Sequence, residues 1–489
     1  MRFCPFHPER LTLVVPNPFS WLLRAVGVAI ARLGLISEER ARRTSELAWP
    51  RIVTGVARMS KSAADVAMVG VALGSTAIAG VGFAGPYWGA AFSIGGGLAA
   101  GTIALVSQRF GAEAFDELGQ AIRSSAALTV AATLPVALSF YLFPEFLIGL
   151  LTDSPQSIQY GADYLRVLAF GVPFAGLNLI GSRALIGADD AYTAMLLRGG
   201  GAVINVGLNA VFIFGLDLGV VGAGLGTVVS NVVVTGAFAV GFARGGLPLV
   251  GSFPVAISPW GSYWAREECR DIVEIGLPVV GRNSVWTAAR FPLLAFVALL
   301  GEPVVAAYIV ARRILGIMNT PGWGFGLAAS SLVGQELGQG DESTAAAYGR
   351  EITLFSVATY VLFAGVVGLF ATDIVVLFVE SPNDPSVPIA VDLVYVAAIA
   401  VIPQGVSAAA AGALDATGDT RWPFYSRILG MFGGAIPLVY LGATTQLGML
   451  GLYLSLFAET TIPAAINYYR FGTGKWKAIS REYRPDAAD

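Results

Sequence analysis

Two cysteines and one histidine in 489 residues leave almost nothing for metal, thiol or imidazole chemistry. Cys4 and Cys269 are too few and too far apart in sequence for a disulfide framework or a metal-ligating cluster. His7 sits in the N-terminal tail, so neither a zinc centre nor a Ser/His or Cys/His catalytic pair has its residues inside the apolar body of the chain. An enzyme of those kinds is not expected, and no cofactor is called for. Charge is scarce as well: 13% of residues are charged and 55% hydrophobic, where an ordinary soluble domain is about 25% charged. Such a chain needs lipid as its solvent. Its first residues, with Pro5, His7 and Pro8, lack the compact apolar core of a cleavable signal peptide. The run "GGGLAAG" at 95 has no preceding strand and no Lys-Ser/Thr, so it is not a phosphate loop. Small residues of this kind let membrane helices approach closely.

What is present in quantity is apolar sequence in runs long enough to cross a bilayer, which takes about 20 residues per helix. Charged and Gly/Pro punctuation predicts an all-α polytopic membrane protein with twelve transmembrane helices. They fall near 47–72, 77–107, 120–142, 158–187, 192–215, 219–243, 272–300, 304–336, 345–370, 388–416, 421–441 and 446–471. Pro135, Pro173, Pro403 and Pro437 lie inside these runs and are expected to kink them or free carbonyls. The stretch 19–36 carries Arg24 and Arg32 on one helical face and reads as an interfacial amphipathic helix. Arg109, Arg123, Arg183, Arg198, Arg244, Arg266, Arg270, Arg350, Arg421, Arg427 and Lys475 fall at the tails and every second loop. The alternate loops hold Glu145, Asp153, Asp217, Glu302, Asp373, Glu380 and Asp384. By the positive-inside rule both termini are cytoplasmic in a multi-pass protein of the cell membrane.

The chain also resembles itself. "ELAWPRIV" at 46 and "EIGLPVVG" at 274 align Pro50 with Pro278, an offset of 228 (278 less 50). "LVSQRFGA" at 105 aligns with "LVGQELGQ" at 332, an offset of 227, and "LGVVGAGL" at 218 with "LGMLGLYL" at 447, an offset of 229. An offset holding six spans puts two six-helix lobes the same way up, related by a pseudo-two-fold along the membrane normal with a cleft between them. The expected plan is a tail with the interfacial helix over 1–44, lobes over 45–245 and 272–472, a cytoplasmic linker over 246–271, and a tail over 473–489.

These residues resemble the multidrug and toxin extrusion (MATE) transporters, with features of their archaeal branch. The likeness covers roughly 44 to 472 and rests on "LAWP" opening the first span, "DVAMVGVALGSTAIAGVGFA" at 65, "LVSQRFGA", "LGVVGAGLGTVVSN" at 218 and "GALDATGDTRWP" at 412. It implies twelve helices in two lobes and alternating access driven by sodium or protons. It also implies a cation-coupling site in the N-terminal lobe. The first-helix aspartate of the family falls on Asp65, the fifth-helix asparagine on Asn205, and the sixth-helix threonine on Thr227. Where relatives carry a second aspartate, this chain has Asn209, leaving one carboxylate for sodium or a proton.

On the first helix Arg51, Arg58 and Asp65 recur every seven positions, with Lys61 three after Arg58, all within an arc of about 80°. A charge at mid-bilayer costs about 2.5–3.5 kcal/mol on insertion scales, so the stripe must face the lobe interior or the cleft. Lys61 and Asp65 are four apart and within reach of one another. Three readings are open: Asp65 couples and Lys61 competes with the bound cation, a permanent bridge replaces that cation, or the charges are buried glue. Arg282, Arg290, Arg312 and Arg313 lie in the seventh and eighth spans, with Asp415 and Glu459 as the acids at similar depth. If Arg58, Lys61, Arg282 and Arg290 face the cleft, its potential is positive and it suits an anion. Asp419 and Arg421 read as chemistry of a turn and gate.

The leading functional reading is an ion-coupled secondary antiporter that exports small amphipathic compounds, working as a monomer in the bilayer without nucleic acid. A flippase or exporter of an anionic or lipid-linked substrate is the alternative that the basic residues favour. A membrane-embedded enzyme acting on isoprenoid phosphates would need acidic metal-binding clusters, for which "ADD" at 188 is a poor source.

Overall fold

The computed structural model describes residues 18–378 and 384–484. Cys4, His7 and Glu380 lie outside the described residues. The first half comprises α1 (Pro18–Arg32), α2 (Glu38–Leu73), α3 (Ser75–Gly111), α4 (Phe115–Leu142), α5 (Pro144–Gly149), α6 (Pro155–Leu168), α7 (Val172–Gly187), α8 (Ala191–Ala210) and α9 (Gly219–Arg244). A two-stranded hairpin, β1 (Gly246–Leu247) with β2 (Gly251–Ser252), follows. The second half comprises α10 (Arg266–Ala298), α11 (Glu302–Met318), α12 (Thr320–Gly338), α13 (Glu342–Leu369), α14 (Ala371–Val376), α15 (Ser386–Ala400), α16 (Ile402–Ala416), α17 (Arg421–Ile428), α18 (Ile436–Thr444), α19 (Met449–Gly472) and α20 (Trp476–Glu482).

Every one of the twelve predicted runs is helical. The fourth, eighth and tenth are each interrupted just before a proline (Pro173, Pro321 and Pro403) that cannot donate to the helical ladder, and the eleventh passes through a π-helical stretch, Leu429–Ala435, just before Pro437. The α15–α16 break bends the run by 42°. Pro135 is accommodated within an unbroken α4. Among the described residues, 8 helices are long and apolar enough to cross a membrane by length and composition, or 9 with the bent pair. The helices that fall short, α2, α10 and the α11–α12 pair, are those carrying Arg51, Arg58, Lys61, Asp65, Arg282, Arg290, Arg312 and Arg313. Charge lowers the apolarity of α2 and α10, while the eighth run is split into α11 of 17 residues and a glycine- and polar-rich α12.

The repeat is visible in three dimensions. A short helix follows the long α4 as one follows α13, and both lobes break their fourth helix before a proline. The lobes meet through equivalent residues. Gln108 Nε2 of α3 donates to the Ala416 carbonyl at 2.7 Å, and Gln335 Nε2 of α12 donates to the Gly187 carbonyl at 3.2 Å. A Cβ on Gly111 would sit 1.9 Å from the Gln335 carbonyl oxygen, and one on Gly338 would sit 1.9 Å from that of Gln108. Such reciprocity is what a two-fold between the halves requires. Only glycine permits backbones to approach this closely.

One end of the cleft is therefore sealed. Arg40 binds Glu351 there, and Arg43 reaches Gln335 at 2.8 Å, Glu336 at 3.5 Å and Asp189 at 3.6 Å. Helix α1 lies across the seam, with Gly27 packed on both Ala41 of α2 and Phe355 of α13. It buries Leu23 and Ile30 against the bundle while Trp21, Leu33 and Leu35 stay exposed. Helix α20 folds back on the C-terminal lobe, with Trp476 stacked on Phe471 and Arg481 paired with Glu342 at 2.7 Å. Asp341 caps α13, and the hydroxyls and amides of Thr344 and Ser343 hold its carboxyl well below the usual carboxylate range.

Toward the other end the lobes part. Gly97 and Gly101 of α3 pack tightly on α10, but a Cβ on Gly82, Gly85 or Gly89 would meet nothing. A groove of about 740 Å³ runs between Met59, Ala63, Ala67 and Gly70 of α2 and Arg313 of α11.

Candidate functional site

The N-terminal lobe holds a chain of polar side chains in its interior. Lys61 Nζ lies 2.9 Å from Asp65 Oδ2. The other carboxylate oxygen, Oδ1, accepts from Asn209 Nδ2 at 2.7 Å. That same amide nitrogen is 3.5 Å from Asn205 Oδ1, and Asn205 Nδ2 donates to Thr227 Oγ1 at 3.2 Å. All four residues expected to couple a cation, Asp65, Asn205, Asn209 and Thr227, are buried and joined in one run of contacts. Three helices supply them: α2 the carboxylate, α8 the two amides one turn apart, and α9 the hydroxyl.

The local geometry follows from the sequence. Asn205 and Asn209 stand four apart, so both face α2 and α9. Asn209 Oδ1 lies against Gly226, where a Cβ would come within 1.9 Å. That oxygen is buried and has no hydrogen-bond partner. An orphaned buried acceptor is costly unless a donor or cation completes it. Carboxylate, amide and hydroxyl oxygens are the ligands of a hard monovalent cation, and an aspartate is equally a proton carrier. The residues thus fit either coupling ion, with the Lys61 ammonium as the competing positive charge.

Some members of this network were not legible beforehand. Tyr164 of α6 lies close enough to Thr227 and Asp65 to feel both. Beyond Thr227 the polar chain continues: its carbonyl accepts from Asn231 Nδ2 at 2.9 Å, Asn231 Oδ1 accepts from Asn178 at 2.9 Å, and Thr235 donates to Asn178 at 2.8 Å. The signal for it was the spacing of Thr227, Asn231 and Thr235, four apart on one helix face. Tyr164 has no comparable signature.

The C-terminal lobe pairs most of its own buried cations. Arg282 forks onto Asp415 at 3.1 and 2.8 Å, and Arg312 meets Glu459 at 2.6 Å with Trp286 Nε1 donating to the same carboxylate at 3.2 Å. Arg290 lies 3.8 Å above the Trp286 ring. Of the four basic residues, Arg282 and Lys61 are each paired with a carboxylate of their own lobe, while Arg58 and Arg290 lie against aromatic rings. Asp419 accepts from Arg470 at 2.6 Å, and Arg421 reaches Glu274 at 3.2 Å. The buried pairs are brittle. Glu459→Gln, which strands Arg312, is expected to cost about 3–5 kcal/mol, read as a marked fall in Tm. Glu145→Gln, at the exposed partner of Arg166, should cost under about 1 kcal/mol. Equal shifts in the two variants would contradict the assignment.

Two homologous helical bundles, a cleft sealed at one end, and buried polar groups within a lobe define a polytopic membrane transporter rather than an enzyme. The MatE family profile matches twice, over residues 50–211 and 278–441, once in each half. The chain belongs to that family and is a multidrug and toxin extrusion transporter acting on small molecules. It is 28% identical over 445 residues to the probable multidrug resistance protein NorM of Rhodopseudomonas palustris, covering 87% of this chain and 90% of that protein. It is 27% identical over 439 residues to the multidrug resistance protein MdtK of Pectobacterium atrosepticum, covering 87% and 94%. A solved structure described as the outward-facing conformation of a multidrug resistance MATE family transporter superposes with a TM-score of 0.81 at 21% identity, over 90% of this chain and 96% of that one. At that identity the likeness is one of fold.

Proposed function

We propose that the protein exports small amphipathic compounds from the cell by ion-coupled antiport, with Asp65 as the coupling carboxylate and sodium or a proton as the ion. The observation that supports this most directly is the buried chain from Asp65 through Asn209 and Asn205 to Thr227, inside a lobe that flanks the cleft. A cation arriving at Asp65 displaces Lys61 Nζ from Oδ2 and draws on oxygens of Asn205, Asn209 and Thr227. That changes how α2, α8 and α9 pack, and α2 is the helix that carries both the site and the seam with α12. The bound ion can thereby bias one arrangement of the lobes over the other, which is all that alternating access requires. The basic loops favour cytoplasmic termini, and on that reading the sealed end faces inward and the cleft opens outward.

The test is export of a lipophilic cationic dye from liposomes containing the purified protein, under an imposed sodium or proton gradient. Dye movement should follow one of the two gradients and stop when it is collapsed. Movement indifferent to both would overturn the antiport reading.

A further inference from the structure

The N-terminal lobe contains a second, unexplained feature. Arg51 and Arg58 of α2, Arg183 of α7 and Arg198 of α8 converge, and none of the four makes a salt bridge among the described residues. The charges that act on Arg51 are those of Arg183, Arg198 and Arg58. Arg198 likewise feels the like charges of Arg183 and Arg58, and Arg183 that of Arg58, so the four repel one another. Arg51 Nε and Nη1, Arg183 Nη1 and Arg198 Nη1 are buried without a hydrogen-bond partner. Arg183 and Arg198, counted among the basic residues of a cytoplasmic loop, lie within α7 and α8, one turn and two turns from the Ala188–Asp190 turn.

Unpaired buried charge is expensive, and like charges brought together add to the expense. The same protein shows how such a charge is settled elsewhere: Arg282 has Asp415 and Arg312 has Glu459. No carboxylate does this for the four. Guanidinium groups converging without a partner are the arrangement that binds phosphate, sulfonate or carboxylate oxygens through paired N–H donors. Each of the four residues keeps part of its surface exposed. The cluster lies beside the contact between the lobes. The Arg58 guanidinium is 5.4 Å from the Phe92 ring of α3 and 5.0 Å from the Trp323 ring of α12, in the opposite lobe, and Arg51 is 5.7 Å from the same Trp323 ring.

We infer that Arg51, Arg58, Arg183 and Arg198 form a binding site for an organic anion, a phosphate- or carboxylate-bearing amphiphile whose apolar part lies against Phe92 and Trp323. The site lies toward the sealed end from Asp65 on the same helix, so cation and anion sites share α2. The inference concerns binding and rests on the transport reading only in treating the cleft as the place where cargo enters.

The test uses the full chain in phosphatidylcholine nanodiscs and equilibrium binding of radiolabelled 1-naphthyl phosphate, with no gradient imposed. Wild type should bind saturably and with strong salt dependence. Arg58→Gln should weaken binding at least tenfold and Arg51→Gln/Arg58→Gln at least a hundredfold, while exposed Arg350→Gln leaves it unchanged. Asp65→Asn should retain binding, which separates failure here from failure of the antiport reading. A second arm adds phosphatidylglycerol and asks by native mass spectrometry whether wild type, but not the double variant, retains it. Retention with competition against naphthyl phosphate identifies a lipid headgroup as the anion; binding without retention identifies a free organic anion. Removing repulsion should also raise the Tm of Arg51→Gln in the absence of anion. A lowered Tm with unchanged binding would make the cluster structural. Wild type that neither binds the phosphate nor retains the lipid would overturn the proposal.

Discussion

Asp65→Asn is expected to abolish ion-coupled export while leaving the fold intact. The amide is isosteric with the carboxylate and keeps an oxygen for Asn209 Nδ2, so the contacts to α8 survive. What goes is the single negative charge of the buried chain. Without that carboxylate neither a cation nor a proton has an anionic partner in the chain. Gradient-driven dye export should fall to the level of protein-free liposomes, and Tm should fall by less than in Glu459→Gln, because Lys61 is the more exposed and more flexible stranded cation. Lys61→Ala separates the readings left open by the 2.9 Å contact. If Lys61 competes with the coupling ion, the alanine variant stays coupled and the ion is bound more tightly. If the ammonium permanently replaces that ion, Lys61→Ala uncouples as completely as Asp65→Asn. Full coupling retained in Asp65→Asn would move the site to the other lobe, where Asp415 and Glu459 are the buried acids.

The sequence allowed the helices to be placed because each lipid-length apolar run ends at a charge, glycine or proline, and it allowed the repeat to be found because Pro50 and Pro278 hold equivalent places. Asp65 announced itself as an acid in an apolar run. What stayed hidden was pairing. A guanidinium in a span looks the same whether a carboxylate 133 positions away meets it, as Asp415 meets Arg282, or nothing does, as with Arg51. Arg183 and Arg198 make the same point. They count toward a basic loop because they lie near the ends of the predicted spans 158–187 and 192–215, and that count carries no information on whether a carboxylate meets them. Hydropathy reports how often charges occur along a segment, and tertiary packing decides which of them are satisfied.

The seal of the cleft gives the second large effect. Gly111 and Gly338 hold equivalent positions in the two halves, and each lies where a Cβ would stand 1.9 Å from a carbonyl oxygen of the facing lobe. These contacts exist only while this end is closed. Gly111→Ala/Gly338→Ala therefore penalises the closed arrangement without touching the interior of either lobe. Overpacking costs about 1–3 kcal/mol per site, so two sites shift the balance between lobe arrangements by roughly 30-fold or more. Maleimide labelling in detergent reads the shift. In chains with Cys4 and Cys269 replaced by serine, Ser62→Cys reports the groove side of α2, and Thr417→Cys, fully buried in this arrangement, reports the sealed end. The double alanine should slow the first and speed the second. General unfolding would speed both, and Gly82→Ala, in open space, should change neither. If the labelling pattern of the double variant matched that of the parent, the glycine contact would not be the seal. The closed end would then depend on the ion pairs of Arg40 and Arg43, whose long side chains can yield where a backbone carbonyl cannot.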